Sequence, residues 1–167
     1  MDATGSEMPE RAAEPLVMYE LVFPSDLNAL GTMFGGKVIA LMDKCAGLCV
    51  SRWCNRTAVT ASIDAIQFTT PIRQGQMVEA QAKVIHVGNT SCLVEVDLYA
   101  TDLQAGDRFF CCTGYFTMVA LDAHSKPVRL PRLSITTPEQ QRDWDLGAEI
   151  KANLLRRRVA RRNLPPV

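Results

Sequence analysis

The sequence places one ionisable side chain inside an otherwise apolar segment. Residues 33–50 read MFGGKVIALMDKCAGLCV, and Asp43 lies near the centre of this run, about two helical turns after Gly36. The side chains one turn away from Asp43 are small and apolar, so a helix here would leave the carboxylate with little water. Because loss of water disfavours a charged group, the carboxylate would be prepared to accept a proton near neutral pH. Asp43 is therefore a candidate general base.

Two features just before Asp43 suggest chemistry on a carbonyl group. Gly35 and Gly36 stand at the predicted start of the helix, where backbone N–H groups have no intrahelical partner and a ligand oxygen can come close. The Gly36 amide could therefore polarise a carbonyl. Asn28, in the preceding loop, could orient a water molecule or a carbonyl, although a lone loop asparagine more often closes a turn.

A purely structural interpretation of Asp43 is also open. The carboxylate could form an ordinary buried ion pair with Lys44, Lys37 or Arg73. A glycine pair often marks only a tight turn or close packing. The residues alone do not decide between the ion pair and the general base.

The secondary structure that must position these residues follows from periodicity. Residues 35–53 predict a helix that is apolar around most of its circumference and hence enclosed on nearly all sides. Segments rich in β-branched and aromatic residues predict strands at 19–23, 58–71, 77–87, 91–101 and 108–121. Short connections such as Gly88-Asn89 favour antiparallel pairing. We expect an α+β fold in which one antiparallel sheet curls around one helix, with the outer face of the sheet covered by further subunits.

Three segments are expected along the chain. Residues 1–16 predict a disordered leader, 17–133 the folded domain, and 134–167 a C-terminal helical tail rich in arginine. From Pro138 the tail begins acidic and ends basic, as the helix dipole favours, with Gly147 as an interruption. The terminal arginines, at 156, 157, 158, 161 and 162, are most simply a solvated face, and a phosphate site is the alternative.

Composition argues against several classes of function. The 18 basic residues equal the 18 acidic ones, so no net field attracts nucleic acid or a membrane, and no apolar run reaches the roughly 20 residues of a membrane span. The six cysteines form no CxxC pair and only His86 and His124 accompany them, so no metal site is expected. We expect buried free thiols in a reducing, cytoplasmic compartment, with neither nucleic acid nor membrane as partner.

Several short motifs follow one another in a fixed order. They are PSDLNALGTMFGG at 24–36, LMDKCAG at 41–47, VTASIDAIQFTTPI at 59–72, GNTS at 88–91, and the strand 116–121 followed by KP at 126–127 and LP at 130–131. Together they resemble the acyl-CoA thioesterases of the hot-dog fold, in particular the bacterial YciA-type and brain cytosolic acyl-CoA hydrolases. The resemblance covers about residues 17–133. It implies hot-dog dimers, commonly three to a hexamer, with active sites formed between protomers.

The resemblance also implies a reaction and roles for three residues. Acyl-CoA would be hydrolysed to a fatty acid and free CoA, with Asp43 as general base or, less readily, as nucleophile. Asn28 of the neighbouring subunit would hold the water or the carbonyl, and the Gly36 amide would stabilise the oxyanion. Phe34 stands where the brain-type sequences tend toward histidine, so acid–base work would fall on the carboxylate.

For the CoA moiety the resemblance implies contacts from a strand turn and from basic residues. The implied residues are Gly88, Asn89, Thr90, Ser91, Lys126 and Arg129. CoA would enter only as part of the substrate, with no separate cofactor. Acyl-chain preference would depend on how strand residues such as Phe68 and Met77 face the partner subunit.

Two rival functions share the same fold. A hot-dog dehydratase on hydroxyacyl thioesters usually needs a histidine opposite a carboxylate, and neither histidine adjoins Asp43 in sequence. A non-catalytic acyl-CoA sensor would bind the thioester in the same pocket without cleaving it. Turnover of acyl-CoA distinguishes the hydrolase from both.

Overall fold

The computed structural model describes residues 9–162, without the side chains of residues 158–162. The elements are β1 (Glu10–Arg11), β2 (Leu16–Leu21), a 3-10 turn (Pro24–Asp26), α1 (Gly35–Cys54), β3 (Thr57–Phe68), β4 (Met77–Val87), β5 (Ser91–Thr101), β6 (Arg108–Leu121), β7 (Arg132–Leu133) and α2 (Pro138–Arg162). Five strands form one antiparallel sheet in the order β2-β4-β5-β6-β3, which α1 packs against. The predicted α+β architecture is confirmed. Within the described residues, neither helix has the length and apolar character needed to cross a bilayer.

Local signals at both ends define α1. Phe34 before it has extended backbone angles, and Asn55 after it has a left-handed conformation (φ 52°), which asparagine tolerates better than most residues. The buried side chains of the helix recur every three or four residues, as an amphipathic helix requires. They are Val38, Leu41, Met42, Cys45, Ala46, Cys49, Val50, Trp53 and Cys54. This apolar side rests on the sheet and fixes the orientation of the remaining side chains.

The prediction that α1 is enclosed on nearly all sides is wrong for the single chain. One stripe of the helix, formed by Ala40, Lys44, Leu48 and Arg52, is exposed. Leu48 retains 53% of its accessible surface. The sheet curls around the other sides only, so the apolar members of this stripe are left for another surface to cover.

The sheet is a meander to which β3 is added at one edge. β4, β5 and β6 pair in sequence order, and the first connection is a tight turn in which Gly88 N donates to Ser91 O at 2.7 Å. β3 pairs with β6 and is an edge strand of the sheet. Along this strand, Val59, Ile63 and Phe68 keep 42%, 39% and 54% of their surface. A long edge strand with apolar side chains is a surface suited to pairing with another chain.

The C-terminal helix α2 packs on β4 and covers part of the outer face of the sheet. Lys83 on β4 lies 2.9 Å from Asp143 on α2, and His86 stacks on Trp144 with ring centroids 4.3 Å apart. Gly147 allows the helix to come this close, since a Cβ there would lie 2.6 Å from the Cβ of His86. At β4, therefore, α2 of the same chain covers part of the face that the sequence analysis left to further subunits.

The first described residues pair with the segment that follows the sheet. β1 and β7 are parallel, with Glu10 opposite Arg132 and Arg11 opposite Leu133. Residues 9–16, which the sequence analysis assigned to a disordered leader, thus contribute a short strand. The pairing depends on a partner strand more than 100 residues away, which local composition does not reveal.

We expect replacement of Phe116 by alanine to cost roughly 3–5 kcal/mol of unfolding free energy, the usual cost of emptying a buried phenylalanine site. Phe116, on β6, is fully buried on the face of the sheet that α1 covers. Leu103→Ala, in the exposed loop between β5 and β6, is the control and should change stability by less than about 0.5 kcal/mol. Urea unfolding at one fixed protein concentration measures both. Equal effects of the two substitutions would contradict the assignment of Phe116 to the core.

Candidate active site

Asp43 lies on α1 beside the edge strand β3, where one hydrogen bond holds its carboxylate. The Thr60 hydroxyl donates to Asp43 Oδ1 and also lies 3.4 Å from the sulfur of Met118. Asp43 is half-buried, and Gly36, Ala40 and Gly47 share its side of the helix. This side of α1 therefore presents a carboxylate among residues that leave room for a ligand.

The basic residues considered as partners of Asp43 are bonded elsewhere or distant. Lys37 Nζ lies 3.2 Å from Asp26, and Lys44 Nζ lies 3.6 Å from Glu20. Within residues 9–157, no basic side chain comes within ion-pair distance of Asp43, Arg73 included. The alternative of an ordinary buried ion pair is not realised in this chain.

Asn28 is bonded within its own loop. Its Oδ1 accepts from the backbone N–H of Leu30 at 2.8 Å and of Thr32 at 3.3 Å, while its Nδ2 donates to the Thr32 hydroxyl at 2.9 Å. This is the turn-closing arrangement that the sequence analysis gave as the alternative for Asn28. The amide is held rigidly, and its second Nδ2 hydrogen has no acceptor among the described residues.

The start of α1 offers backbone donors beside aromatic rings. No side chain caps the helix, so its first N–H groups have no capping partner there. A Cβ at Gly36 would lie 2.4 Å from the ring of Phe34, and a Cβ at Gly35 would lie 3.7 Å from the ring of Phe68. The ring of Phe34 is exposed and can turn away, so this contact alone does not require glycine at position 36.

A cavity of about 370 Å³ opens next to this helix start. Its walls come from the loop before α1, the first turn of α1, the end of β3 and the adjoining part of β6. The lining is mostly apolar and includes Gly35, Val38, Phe68, Ile72 and Cys112. Met77, which the sequence analysis grouped with Phe68, is not part of this lining. The cavity is of a size and character suited to a short apolar group.

The residues implied for CoA separate into two groups. Gly88, Asn89 and Arg129 line one cleft of about 480 Å³ at the β4–β5 turn. Thr90 and Ser91 belong to the same turn without lining this cleft. Lys126 lies away from it, exposed in a turn where its backbone bonds Asp122.

Neither histidine lies in a position to assist Asp43. His86 stacks on Trp144, and burial, followed by the charge of Lys151, lowers the pKa of its imidazole. His124 lies in the exposed turn between residues 122 and 126. Among the described residues, no cluster of His, Cys, Asp and Glu is arranged to hold a metal ion.

The six cysteines are all buried free thiols. Burial raises the pKa of Cys45 to about 12 and that of Cys49 and Cys112 to about 11. A thiol attacks only as its thiolate, so these groups are poor nucleophiles at neutral pH. The chemistry of the site is left to oxygen groups, with Asp43 as the ionisable one.

One residue of the site, Thr60, was missed by the sequence analysis. It lies within the motif VTASIDAIQFTTPI, which was used only for its resemblance. Its contact with Asp43 depends on the packing of β3 against α1, which neither local periodicity nor spacing along the helix contains. A threonine at an alternating inward position of a strand beside the helix was the available signal.

Comparison with known proteins gives consistent results. Residues 30–106 match the family model described as the thioesterase superfamily. The acyl-CoA thioester hydrolase YkhA of Bacillus subtilis, itself described as uncharacterized, is 40% identical over 119 residues, which are 71% of this chain and 69% of that protein. A hexameric acyl-CoA thioesterase, solved in its apo form, has a TM-score of 0.85 and 34% identity, covering 95% of this chain and all of that one.

The acyl-CoA hydrolase of Staphylococcus aureus has a similar structure. Its Asn28Ala variant, solved with coenzyme A, has a TM-score of 0.87 and 26% identity, covering 93% of this chain and 95% of that one. The same protein has been solved as Asp43Ala and Thr60Ala variants and with butyryl coenzyme A. From these matches in sequence and structure we conclude that the chain belongs to the thioesterase superfamily and has the hot-dog fold.

Proposed function

We propose that the protein hydrolyses acyl-CoA thioesters to a carboxylic acid and free CoA, with Asp43 as the general base. The observation that carries the proposal is the carboxylate of Asp43 on the small-residue side of α1, bonded by Thr60 and free of any ion pair among the described residues. The uncapped start of the same helix supplies N–H donors for a carbonyl oxygen. A base and an oxyanion site on one helix are the two requirements for attack of water on a thioester.

The proposed mechanism uses groups of the chain alone. Asp43 takes a proton from a water molecule as the water oxygen attacks the thioester carbonyl. The oxyanion that forms is stabilised by the Gly36 amide. When the intermediate collapses, the C–S bond breaks and the CoA sulfur leaves with the proton returned by Asp43. The Thr60 hydroxyl orients the carboxylate through its hydrogen bond to Oδ1.

The named relatives support these assignments. The S. aureus hydrolase was solved with alanine at its own Asn28, Asp43 and Thr60, and this chain has the same three residue types at those numbers. Its complex with butyryl coenzyme A supports an acyl-CoA as the substrate here. The cavity of about 370 Å³ at the helix start is our candidate for the acyl chain. Direct attack by Asp43 remains the alternative mechanism.

Features of the single chain support a site shared between subunits. Asp43 lies next to β3, an edge strand with exposed apolar residues, and Leu48 is exposed on α1. A second copy pairing along β3 would cover these surfaces and bring its Asn28 amide toward Asp43. The second Nδ2 hydrogen of Asn28 would then contact the water or the carbonyl. We propose such dimers, assembled as a trimer of dimers, and the hexameric state of a similar thioesterase supports this.

The rival functions have less support. A dehydratase would use a histidine opposite the carboxylate, and both His86 and His124 lie elsewhere. A sensor that only binds acyl-CoA would not require the Asp43 carboxylate to be held by the Thr60 hydroxyl. Six buried free thiols are consistent with the proposed cytoplasmic setting, where disulfides are rare.

Asp43→Asn should reduce kcat for acyl-CoA at least about 100-fold, because the amide keeps the shape of the side chain but cannot accept the proton. Release of free CoA, followed with a thiol reagent, measures the rate. Asp145→Asn, an exposed position of α2, is the matched control and should retain parent activity. Unchanged turnover by Asp43→Asn would refute the assignment of the base.

Thr60→Val should lower kcat about tenfold, since it removes a hydrogen bond to a charged group while keeping the volume of the side chain. Thr60→Ser keeps the hydroxyl and should restore most of the rate. The comparison of the two variants separates the hydrogen bond from packing. If valine and serine give the same rate, the hydroxyl has no role in the reaction.

Mixing two inactive variants tests whether the site is shared. Co-expressed Asn28→Ala and Asp43→Asn chains should recover about a quarter of the parent activity, because random pairing makes half of the dimers hybrid and each hybrid has one intact site of two. Each variant expressed alone is the control. No recovery in purified hybrid dimers would place Asn28 and Asp43 of the same subunit in one site.

A further inference from the structure

The edge strand β2 carries apolar side chains on the face of the sheet that points away from α1. Val17, Tyr19 and Leu21 alternate with better buried residues and are exposed, Tyr19 to 61%. Phe23, directly after the strand, continues the alternation and is exposed as well. When one face of an antiparallel strand packs on a core, the side chains of the other face are usually polar. An apolar row on the outer face indicates a surface that a partner covers.

This row continues across the neighbouring strands. Tyr19 is opposite Glu79 on β4, Glu79 is opposite Tyr99 on β5, and Tyr99 is opposite Phe110 on β6. The rings of Tyr99 and Phe110 meet edge to face, with centroids 5.6 Å apart. The helix α2 covers the other end of this face, where Lys83 pairs with Asp143. We call the outer side of β2, together with Tyr99 and Phe110, the β2 surface.

The central charges of the β2 surface neutralise each other. The Arg108 guanidinium donates to both carboxylate oxygens of Glu79, at 3.1 Å each, and lies 3.6 Å from the centroid of the Tyr99 ring. Neither charge is left over for a partner of opposite sign. A neutral apolar surface is compatible with a copy of itself, since no like charges are brought together in the contact.

The proposed assembly needs a second contact surface on each chain. A closed trimer of dimers requires two kinds of contact, one within the dimer and one between dimers. The dimer contact is proposed at β3, and β2 is the opposite edge of the five-stranded sheet. A contact at β2 therefore leaves β3 free to pair. A second copy of the chain, from a neighbouring dimer, is the occupant that fits the β2 surface.

Phe23 connects the β2 surface to the loop that carries Asn28. Its backbone N–H donates to Asp26 Oδ2 at 2.9 Å, and Asp26 O accepts from the backbone N–H of Phe34 at 2.8 Å. The other carboxylate oxygen of Asp26 lies 3.2 Å from Lys37 Nζ on α1. Asp26 thus ties Phe23 to the first turn of α1 across the Asn28 loop. A copy that covers Phe23 restricts the opening of this loop.

We infer that the dimers of this protein meet at the β2 surface, and that this contact holds the Asn28 loop in place through Phe23. The inference rests on the proposed function for the hexamer and identifies the surface that builds it. Asn28 belongs to the proposed shared site, so a contact between dimers supports the site without adding a residue to it.

Sedimentation velocity of the full chain tests the surface. The parent should sediment as a hexamer, and Tyr19→Lys and Leu21→Lys as dimers of one third the mass, because burying an unpaired ammonium in the contact is costly. Both positions are exposed in the single chain, and far-UV circular dichroism shows whether each variant is folded. Leu155→Lys, at an exposed position of α2, is the matched control and should remain hexameric. A parent that is a dimer, variants that remain hexamers, or variants that fall to monomers would overturn the inference.

Hydrogen exchange tests the effect on the loop. Backbone amides of residues 26–34 should exchange about tenfold faster in dimeric Tyr19→Lys than in the parent, since local opening is no longer restrained by a neighbouring copy. Amides of the β4–β5 turn at 88–91 are the internal reference and should be unchanged. Equal exchange of the loop in the two proteins would refute the role of Phe23.

Neither measurement depends on turnover, so the inference and the proposed function can fail separately. A parent that assembles through the β2 surface but releases no CoA from acyl-CoA refutes the hydrolase proposal alone. A parent that hydrolyses acyl-CoA as a dimer refutes only the contact proposed at β2.

Discussion

The hydrogen bond between Thr60 and Asp43 is the interaction on which the proposed site depends. It joins the central helix to the edge strand of the sheet and fixes a carboxylate on the side of the helix where the side chains are smallest. An ionised carboxylate in a half-buried position usually gains a cation as its partner. Here the nearby lysines are bonded to Asp26 and Glu20, so among the described residues the carboxylate has a hydroxyl and no cation as its partner.

The fold places this interaction at a boundary. β3 is both the strand that carries Thr60 and an open edge of the sheet, so the surface that orients the carboxylate is also the surface suited to another subunit. Association would remove water from the site and strengthen each electrostatic contact within it. Under this proposal, assembly and catalysis depend on the same strand, and a change at the edge of β3 affects both.

Local patterns in the sequence were sufficient for much of the fold. The limits of β4, β5 and β6 were predicted to the residue, because alternating side chains and short turns define them. The helix was placed within one residue, from the glycine pair to its C-terminal end. The prediction that α1 is enclosed on nearly all sides was wrong for the single chain. Apolar residues around a helix do not reveal whether the same chain or a second chain covers them.

The site was less accessible to sequence reasoning. Asp43 and Gly36 stood out because both lie on one element with helical spacing. Thr60 did not, because its partner is set by how β3 packs on the helix. The position of Trp144 at the cleft could not be predicted from local sequence either. It depends on α2 crossing β4 at Gly147, which tertiary packing determines.

The short parallel pair between β1 and β7 has a consequence for the whole chain. Arg132 N donates to Pro9 O and Ser134 N to Arg11 O, each at 3.0 Å, so the polypeptide near the amino end braces the connection that runs from the sheet into α2. That connection includes residues 129–133, which line the cleft of about 480 Å³ at the β4–β5 turn. Removing or altering residues 9–11 would therefore also remove backbone support from a cleft that is distant from them in sequence.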